Sequence, residues 1–415
     1  MKNVNKIKII DLFAGCGGLS DGFEQSMKYD IVAHIEWENV PCTTIIKRFC
    51  NKWKYRGIKQ RVLRFDIQRT KELLFGWSKD PEYGSGEGLD RLVGDSGIDV
   101  IIGGPPCQAY SVAGRIRDEH GMHNDYRNYL FESYIKVVKH FKPKAIIFEN
   151  VPGMLSARPG GISIAERITK EFSKSGYETI SNLQKNAMID FSLFGVPQNR
   201  SRVIILGLNK RIFKKNRQDL LSKFYNNILV KYHVDKIKTV NEAISDLPAF
   251  KPSKSDYSIA GKRFSHEPNI TKIYNHIPRY HNRRDIQIFR QLALDIQTGE
   301  NSYTSIAKLQ ELYTKKTGKT SNVHKYYVLR WNGPSNTIPA HLYKDGLRHI
   351  HPDPEQARSI TVREAARLQT FDDDFEFTGS MGNQYKMIGN AVPPLFAKYL
   401  AHAVNDLLKE YFKEV

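Results

Sequence analysis

Cysteine is scarce in this chain: four in 415 residues (Cys16, Cys42, Cys50 and Cys107), with no CxxC pair. That count excludes a disulfide scaffold and a cysteine-rich zinc module, and fits a reducing compartment. No apolar run reaches the roughly 20 residues needed to span a bilayer. The basic stretch Met1–Lys8 leads into strand-like residues rather than a signal-peptide core. The expectation is a cytoplasmic protein without a metal site or a membrane attachment. Repeats, low-complexity tracts and the GxGxxG spacing of a dinucleotide site are also missing.

Negative charge is the other shortage. There are 44 Asp and Glu against 63 Lys and Arg, for a net charge of +19. Between Asn209 and Arg348 stand 26 Lys and Arg and 11 Asp and Glu, so about +15 of the surplus lies in one third of the chain. A concentration of this kind suits a segment that meets a polyanion. A merely soluble basic surface is the plainer alternative.

The first two hundred residues alternate short apolar runs with longer helical patterns. The runs are Lys6–Ile10, Ile31–Ile35, Ile98–Ile102, Ala145–Phe148 and Arg202–Leu206. Helical periodicity fills Tyr129–Phe141 and Ile164–Ser175 between them. This order predicts an α/β fold with a doubly wound, mostly parallel sheet, whose ligands gather at the carboxyl ends of the strands. The alternation fades over residues 209–350. Helical patterns return at Asp285–Gln297, Ser305–Thr314, Thr361–Phe371 and Pro394–Tyr411. Three segments are therefore expected: 1–208, a basic 209–350, and 351–415 returning to the first.

Each strand end carries chemistry. After the first run comes Asp11-Leu12-Phe13-Ala14-Gly15-Cys16-Gly17-Gly18, a turn in which closely spaced glycines let backbone approach a ligand. Glu36 closes the second run, where a carboxylate can accept hydrogen bonds from both hydroxyls of a ribose. Trp37 beside it can stack on an adenine, or simply pack in the core. Asp66-Ile67 can hold the adenine amino group and its other face, though Asp66 can equally cap a helix. Together these describe an adenosine pocket without a second phosphate-binding element. That fits S-adenosylmethionine better than NAD or ATP.

The third run ends in Gly103-Gly104-Pro105-Pro106-Cys107-Gln108, and the fourth in Glu149-Asn150-Val151. A free cysteine is commonly a small core filler. Here two prolines stiffen the approach and polar residues follow, which favours a nucleophile. The pair Cys107 and Glu149 suits a base whose C5 is too poor a nucleophile to be alkylated unaided. A thiolate adds at C6 of cytosine, and an acid at N3 stabilises the adduct. Glu149 would need a raised pKa for that work.

Taken in order, Asp11–Phe23, Pro105–Gln108, Glu149–Val151, Gln198–Arg202, Arg363–Phe371 and Gly389–Pro394 resemble the motifs of the DNA (cytosine-5) methyltransferases, bacterial restriction–modification type. The resemblance implies an S-adenosylmethionine-dependent methyltransferase fold with an inserted smaller target recognition domain at 209–350. It implies that Phe13, Gly15, Gly17, Glu36, Trp37, Asp66 and Ile67 hold S-adenosyl-L-methionine. Asn390 and Val392 then close the same pocket. It makes Cys107 the nucleophile and Glu149 the N3 partner, while Arg200 and Arg202 orient the flipped base and the catalytic loop. A phosphate clamp or a surface salt bridge is the plainer reading for one of those arginines. Arg363, Arg367 and Phe371 are expected to organise structure. The stretch Val112–Tyr126 is similar to the family's mobile loop. Tyr110 departs from the usual Phe, and Gly104-Pro105 from the bulkier residue of some members.

The expected partners are double-stranded DNA, acted on by a monomer, and a cognate restriction endonuclease sharing its site. Base-reading candidates lie at Arg279–Arg284 and Arg330–Asn332. Two other readings stay open on sequence alone. A tRNA methyltransferase shares such a core but carries a Cys-Phe-Thr element in its recognition region, and no cysteine follows Cys107 here. A catalytically silent DNA-binding relative would not need Cys107, Glu149, Arg200 and Arg202 intact.

Overall fold

A computed structural model describes residues 6–106, 130–158, 161–268, 272–320 and 325–414. Cys107 and the stretch Val112–Tyr126 lie outside the described residues. The chain divides into two compact units. One comprises Met1–Gly195, Arg200–Asp235 and Ala391–Val415, and the other Val196–Asn199 and Lys236–Asn390.

The first unit is built on an eight-stranded sheet. Its strands are β1 (Ile7–Leu12), β2 (Tyr29–Glu36), β3 (Val62–Arg64), β6 (Val100–Gly103), β7 (Ala145–Asn150), β8 (Tyr177–Thr179), β9 (Met188–Asp190) and β10 (Ser201–Asn209). A small separate hairpin, β4 (Trp77–Asp80) and β5 (Gly84–Gly86), interrupts the series. The strand order is β3-β2-β1-β6-β7-β10-β8, with β9 paired to β10. The pairs from β3 through β7 are parallel, while β10 runs antiparallel to β7, β8 and β9. The chain winds outward from β1 to β3, then crosses back to β6 on the other side of β1. The switch in strand order therefore falls between β1 and β6, and their carboxyl ends open side by side.

The apolar runs explain this burial. Ile9, Ile10 and Leu12 of β1, Val100–Ile102 of β6 and Ala145–Phe148 of β7 are inaccessible to solvent, as strands covered on both faces must be. Helix α1 (Gly18–Gln25) follows the glycine turn. Gly22 fixes its distance to the C-terminal helix Pro394–Glu414, since a methyl there would lie 2.4 Å from Ala397 Cβ. The helical periodicities hold to within a few residues: Leu130–Phe141, Ile164–Lys174, Arg283–Thr298, Ile306–Thr317 and Val362–Leu368.

Packing does not follow the charge break at Asn209. Residues 209–235 are basic on their exposed positions, yet Phe213, Leu221, Phe224, Tyr225, Ile228 and Leu229 are buried in the first unit. Tyr225 Oη accepts from the Leu206 amide and donates to the Ile204 carbonyl, which fastens this segment to β10. Residues 351–390, expected to return to the first unit, instead pack within the second.

The second unit has its own apolar cluster, including Ile286, Phe289, Leu292, Leu309, Leu312, Val328 and Ile350. It also contains a buried polar one. Arg358 donates to both carboxylate oxygens of Glu364, at 2.7 and 2.6 Å, and Glu364 closes a capping box with Thr361. Arg363 donates to the carbonyls of Tyr274, Asp372 and Phe375. Arg367 pairs with Asp246 and Asp373, and Phe371 packs on Phe375 and Phe377. These three residues organise structure, as their pattern led us to expect. No described helix is long and apolar enough to cross a membrane.

Around that ion pair sit buried histidines held neutral by desolvation, His266 at about 4, and His281 and His351 at about 3. A histidine pKa depressed on folding contributes stability above its unfolded value near 6.5, and that stability is lost as pH falls below it. By pH 5 each costs roughly 2 kcal/mol. The second unit should therefore lose amide-exchange protection between pH 6.5 and 4, ahead of the first unit. Glu364→Gln, which strands the Arg358 charge, should destabilise it by about 3–5 kcal/mol in denaturant titrations at pH 7.5.

Candidate active site

The glycine turn after β1 folds inward. Phe13 takes φ 60°, Gly15 φ 55° and Gly17 φ 86°, so a non-glycine residue sits in the left-handed region at the entrance, a strained conformation that clusters at ligand sites. Three of the loop's amides bond within the protein. Ala14 N donates to the Ile35 carbonyl and Gly17 N to the Ala14 carbonyl, while Gly15 N donates to Glu36 Oε2 at 2.9 Å. Glu36 Oε1 accepts from the amides of Trp37 and Glu38, both at 2.9 Å.

Burial pushes the Glu36 carboxyl up to about 7, against the pull of those amide hydrogen bonds. Beneath the turn, Asp11 is pushed up to about 8 by burial. Two carboxyls whose ionisation is opposed by burial thus stand beneath and beside the turn.

The remaining residues of this end follow from the register. β3 pairs Glu36 with Arg64, and the Phe65 amide donates to the Glu36 carbonyl, which brings Asp66 and Ile67 to the same edge. Asp66 Oδ1 accepts from the Gln68 amide at 2.9 Å, a local turn bond rather than the helix cap weighed for it, since the next helix is capped at Arg69 without a side-chain bond. Ile67 is buried and Trp37 is 51% exposed, so Trp37 is no core filler. Gly17 has a second reason to be glycine, since a methyl there would lie 3.1 Å from Ile45 Cγ1.

A second cluster stands two strands away. Glu149, at the end of β7, lies opposite Ile204 of β10, and Arg202 Nε approaches Glu149 Oε1 to 3.1 Å with both side chains largely buried. Burial raises the Glu149 pKa, and Arg202 and then Arg200 oppose that rise. Arg200 is buried, and its Nη2 donates to the Ala391 carbonyl at 3.0 Å. It is tied to the late motif's backbone, whereas Arg202 touches the acid directly. Asn150 donates to the Pro105 carbonyl at 3.4 Å and accepts from the Val151 amide. It was not singled out from the sequence, although it stands next to Glu149.

Not every expected residue joins these clusters. Val392 is buried in the first unit, while Asn390 ends the helix Met381–Asn390 of the second and is exposed. Among the base-reading candidates, Arg279 donates to the carbonyls of Leu342 and Tyr343, and Arg283 and Arg284 pair with Asp256 and Asp285. All three have work inside the second unit.

Residues 7–406 match the family model of the C-5 cytosine-specific DNA methylases. The type II methyltransferase M.Bpa9945I of Bacillus paralicheniformis is 35% identical over 454 aligned residues, covering 96% of this chain and 99% of that protein. The type II methyltransferase M.DdeI of Desulfomicrobium norvegicum is 30% identical, covering 96% and 88%. Among solved structures, an E. coli prophage protein described as a DNA modification methyltransferase is similar with a TM-score of 0.63 at 22% identity, covering 97% and 100% of the two chains. The Dnmt2 methyltransferase of S. pombe gives 0.54 at 15%, covering 98% and 99%. These last two likenesses speak to the fold.

Glu36 offers a test by pH. Its carboxyl is raised above the ordinary glutamate value, so its anion forms only as pH rises through about 7. Calorimetric affinity for S-adenosylmethionine should weaken up to about tenfold per unit below pH 7. Glu36→Gln should bind more weakly at pH 8 and lose that slope. An unchanged slope in the variant would assign the titration to another group.

Proposed function

The chain belongs to the C-5 cytosine-specific DNA methylase family and is a DNA (cytosine-5-)-methyltransferase, and from that premise we propose how it works. It methylates C5 of a cytosine within a short sequence of double-stranded DNA, with S-adenosyl-L-methionine as donor. The observation that carries this reading is Glu149, a buried carboxyl with a raised pKa, held at the sheet's carboxyl edge by Arg202.

The residues present fit that cofactor. Glu36 accepts the ribose hydroxyls, Trp37 offers an exposed ring to the adenine, Ile67 lines the other face, and Asp66 takes the amino group. Phe13, Gly15 and Gly17 shape the turn, and Val392 completes the set within the first unit. When bound, S-adenosylmethionine supplies an electrophilic methyl group on a sulfonium.

The rest falls to the protein. The Cys107 thiolate adds to C6 of the cytosine, and the electron pair moves toward C5 as Glu149 gives its proton to N3. C5 then takes the methyl group. A base removes the C5 proton, the C5–C6 double bond re-forms, and the C6–sulfur bond breaks to return the thiolate while N3 gives its proton back. Arg202 keeps the Glu149 carboxyl aimed, and Arg200 holds the backbone at Ala391.

Cytosine in a duplex hides C6 within the stack, so the base must be flipped out at a cost of a few kcal/mol. Phosphate contacts by the basic segment would offset that cost, with a strong salt dependence. The target recognition role is assigned to the second unit. Relatives 35% and 30% identical are named type II methyltransferases, which supports a cytoplasmic modification enzyme of a restriction–modification pair.

Cys107→Ala should abolish methyl transfer from labelled S-adenosylmethionine to mixed-sequence duplex DNA while leaving cofactor affinity within about twofold. Glu149→Gln should lower kcat by roughly 10²–10⁴-fold. Turnover by Cys107→Ala at the parent rate would refute covalent catalysis.

A further inference from the structure

We propose that Gly104 is a positioning residue for methyl transfer: its missing side chain is the space in which the Glu149 carboxyl sits. The inference rests on the role given to Glu149 above.

The register sets up the contact. β6 and β7 are parallel neighbours, with Gly103 opposite Phe148, so the next residues, Gly104 and Glu149, emerge together at the carboxyl edge. Asn150 donating to Pro105 continues the alignment one residue further. A methyl on Gly104 would lie 2.6 Å from Glu149 Oε2, well inside contact distance. The other nearest atoms it would meet are the Glu149 carbonyl oxygen and Cβ, at 3.6 and 3.7 Å, ordinary van der Waals separations.

Gly104 is also not in the left-handed region, so its backbone accepts alanine. The obstacle is the end of one flexible side chain. Relief is easy for the fold, because the carboxyl can swing aside, and harmful for catalysis, because swinging aside pulls Oε1 from Arg202. Gly103 shows the contrast. A methyl there would lie 2.4 Å from the Leu12 carbonyl oxygen of the neighbouring strand, which cannot move alone.

The two positions separate stability from chemistry. Gly104→Ala should melt within about 2 °C of the parent and bind S-adenosylmethionine and DNA normally. Its kcat should fall roughly 10²-fold, with KM little changed, as expected when a reacting group is displaced by about an ångström. Gly103→Ala should instead lose stability outright.

The deciding experiment is the double-mutant cycle with Glu149→Gln. If Gly104 acts through Glu149, adding Gly104→Ala to Glu149→Gln lowers kcat by no further large factor. The proposal is overturned if Gly104→Ala turns over at the parent rate, or if its loss multiplies fully with that of Glu149→Gln. Full activity in Glu149→Gln would defeat the reading of Glu149 itself, and this inference with it, in a pattern distinct from either of those results.

Discussion

A carboxyl group at the end of β7 resists ionisation because the strands around it exclude water, and Arg202 from the antiparallel β10 draws it back toward the anion. Burial raises the Glu149 pKa and Arg202 opposes that rise, and a raised carboxyl is what a general acid needs near neutral pH. Most of the first unit can be understood as what keeps that balance in place. β10 runs antiparallel to β7, so Arg202 reaches back along it, and the residue after β6, Gly104, has no side chain beside the acid. Asn150 must tie the Pro105 turn to the acid's own strand.

The same sheet carries a second tuned acid. Glu36 closes β2 and Glu149 closes β7, with β1 and β6 between them. Both are raised by burial, but their partners differ. Glu36 is held by three backbone amides and no cation, which suits an acceptor that grips neutral hydroxyls. Glu149 is held by an arginine, which suits a group that must change its charge during reaction. One mostly parallel sheet thus presents two carboxyls at one edge, with two strands between them and separate proposed duties.

Much of this was legible in the sequence. The apolar runs of β1, β2, β6 and β7 are continuous because both faces are covered, and each ends in the residues that matter. Cys107, Glu149 and Glu36 therefore stood out by position as well as by type. Other features depend on contacts between distant segments, which local patterns do not report. Phe213, Phe224 and Tyr225 read as part of a basic stretch, yet they are buried in the first unit, because exposed lysines set the charge while buried rings set the boundary. Arg279, Arg283 and Arg284 looked available for DNA, but their partners lie tens of residues away at Leu342, Tyr343 and Asp256, or beside them at Asp285. Arg200 and Arg202 were indistinguishable by motif, and only the register of β10 separates the one that touches Glu149 from the one that holds Ala391. Gly104 looked like turn chemistry, and its reason appears only across the strand pair.

The proposed reaction turns on a covalent bond from Cys107 to C6 of the target base, formed while Glu149 protonates N3. Duplex DNA carrying 5-fluorocytosine tests it directly, because fluorine at C5 cannot leave in place of the proton and the adduct cannot resolve. Intact-mass analysis after incubation with S-adenosylmethionine should show protein bound to one methylated strand, with peptide mapping locating the bond at Cys107. Methylation of ordinary cytosine DNA by the same preparation, with no adduct on the fluorinated duplex, would contradict it.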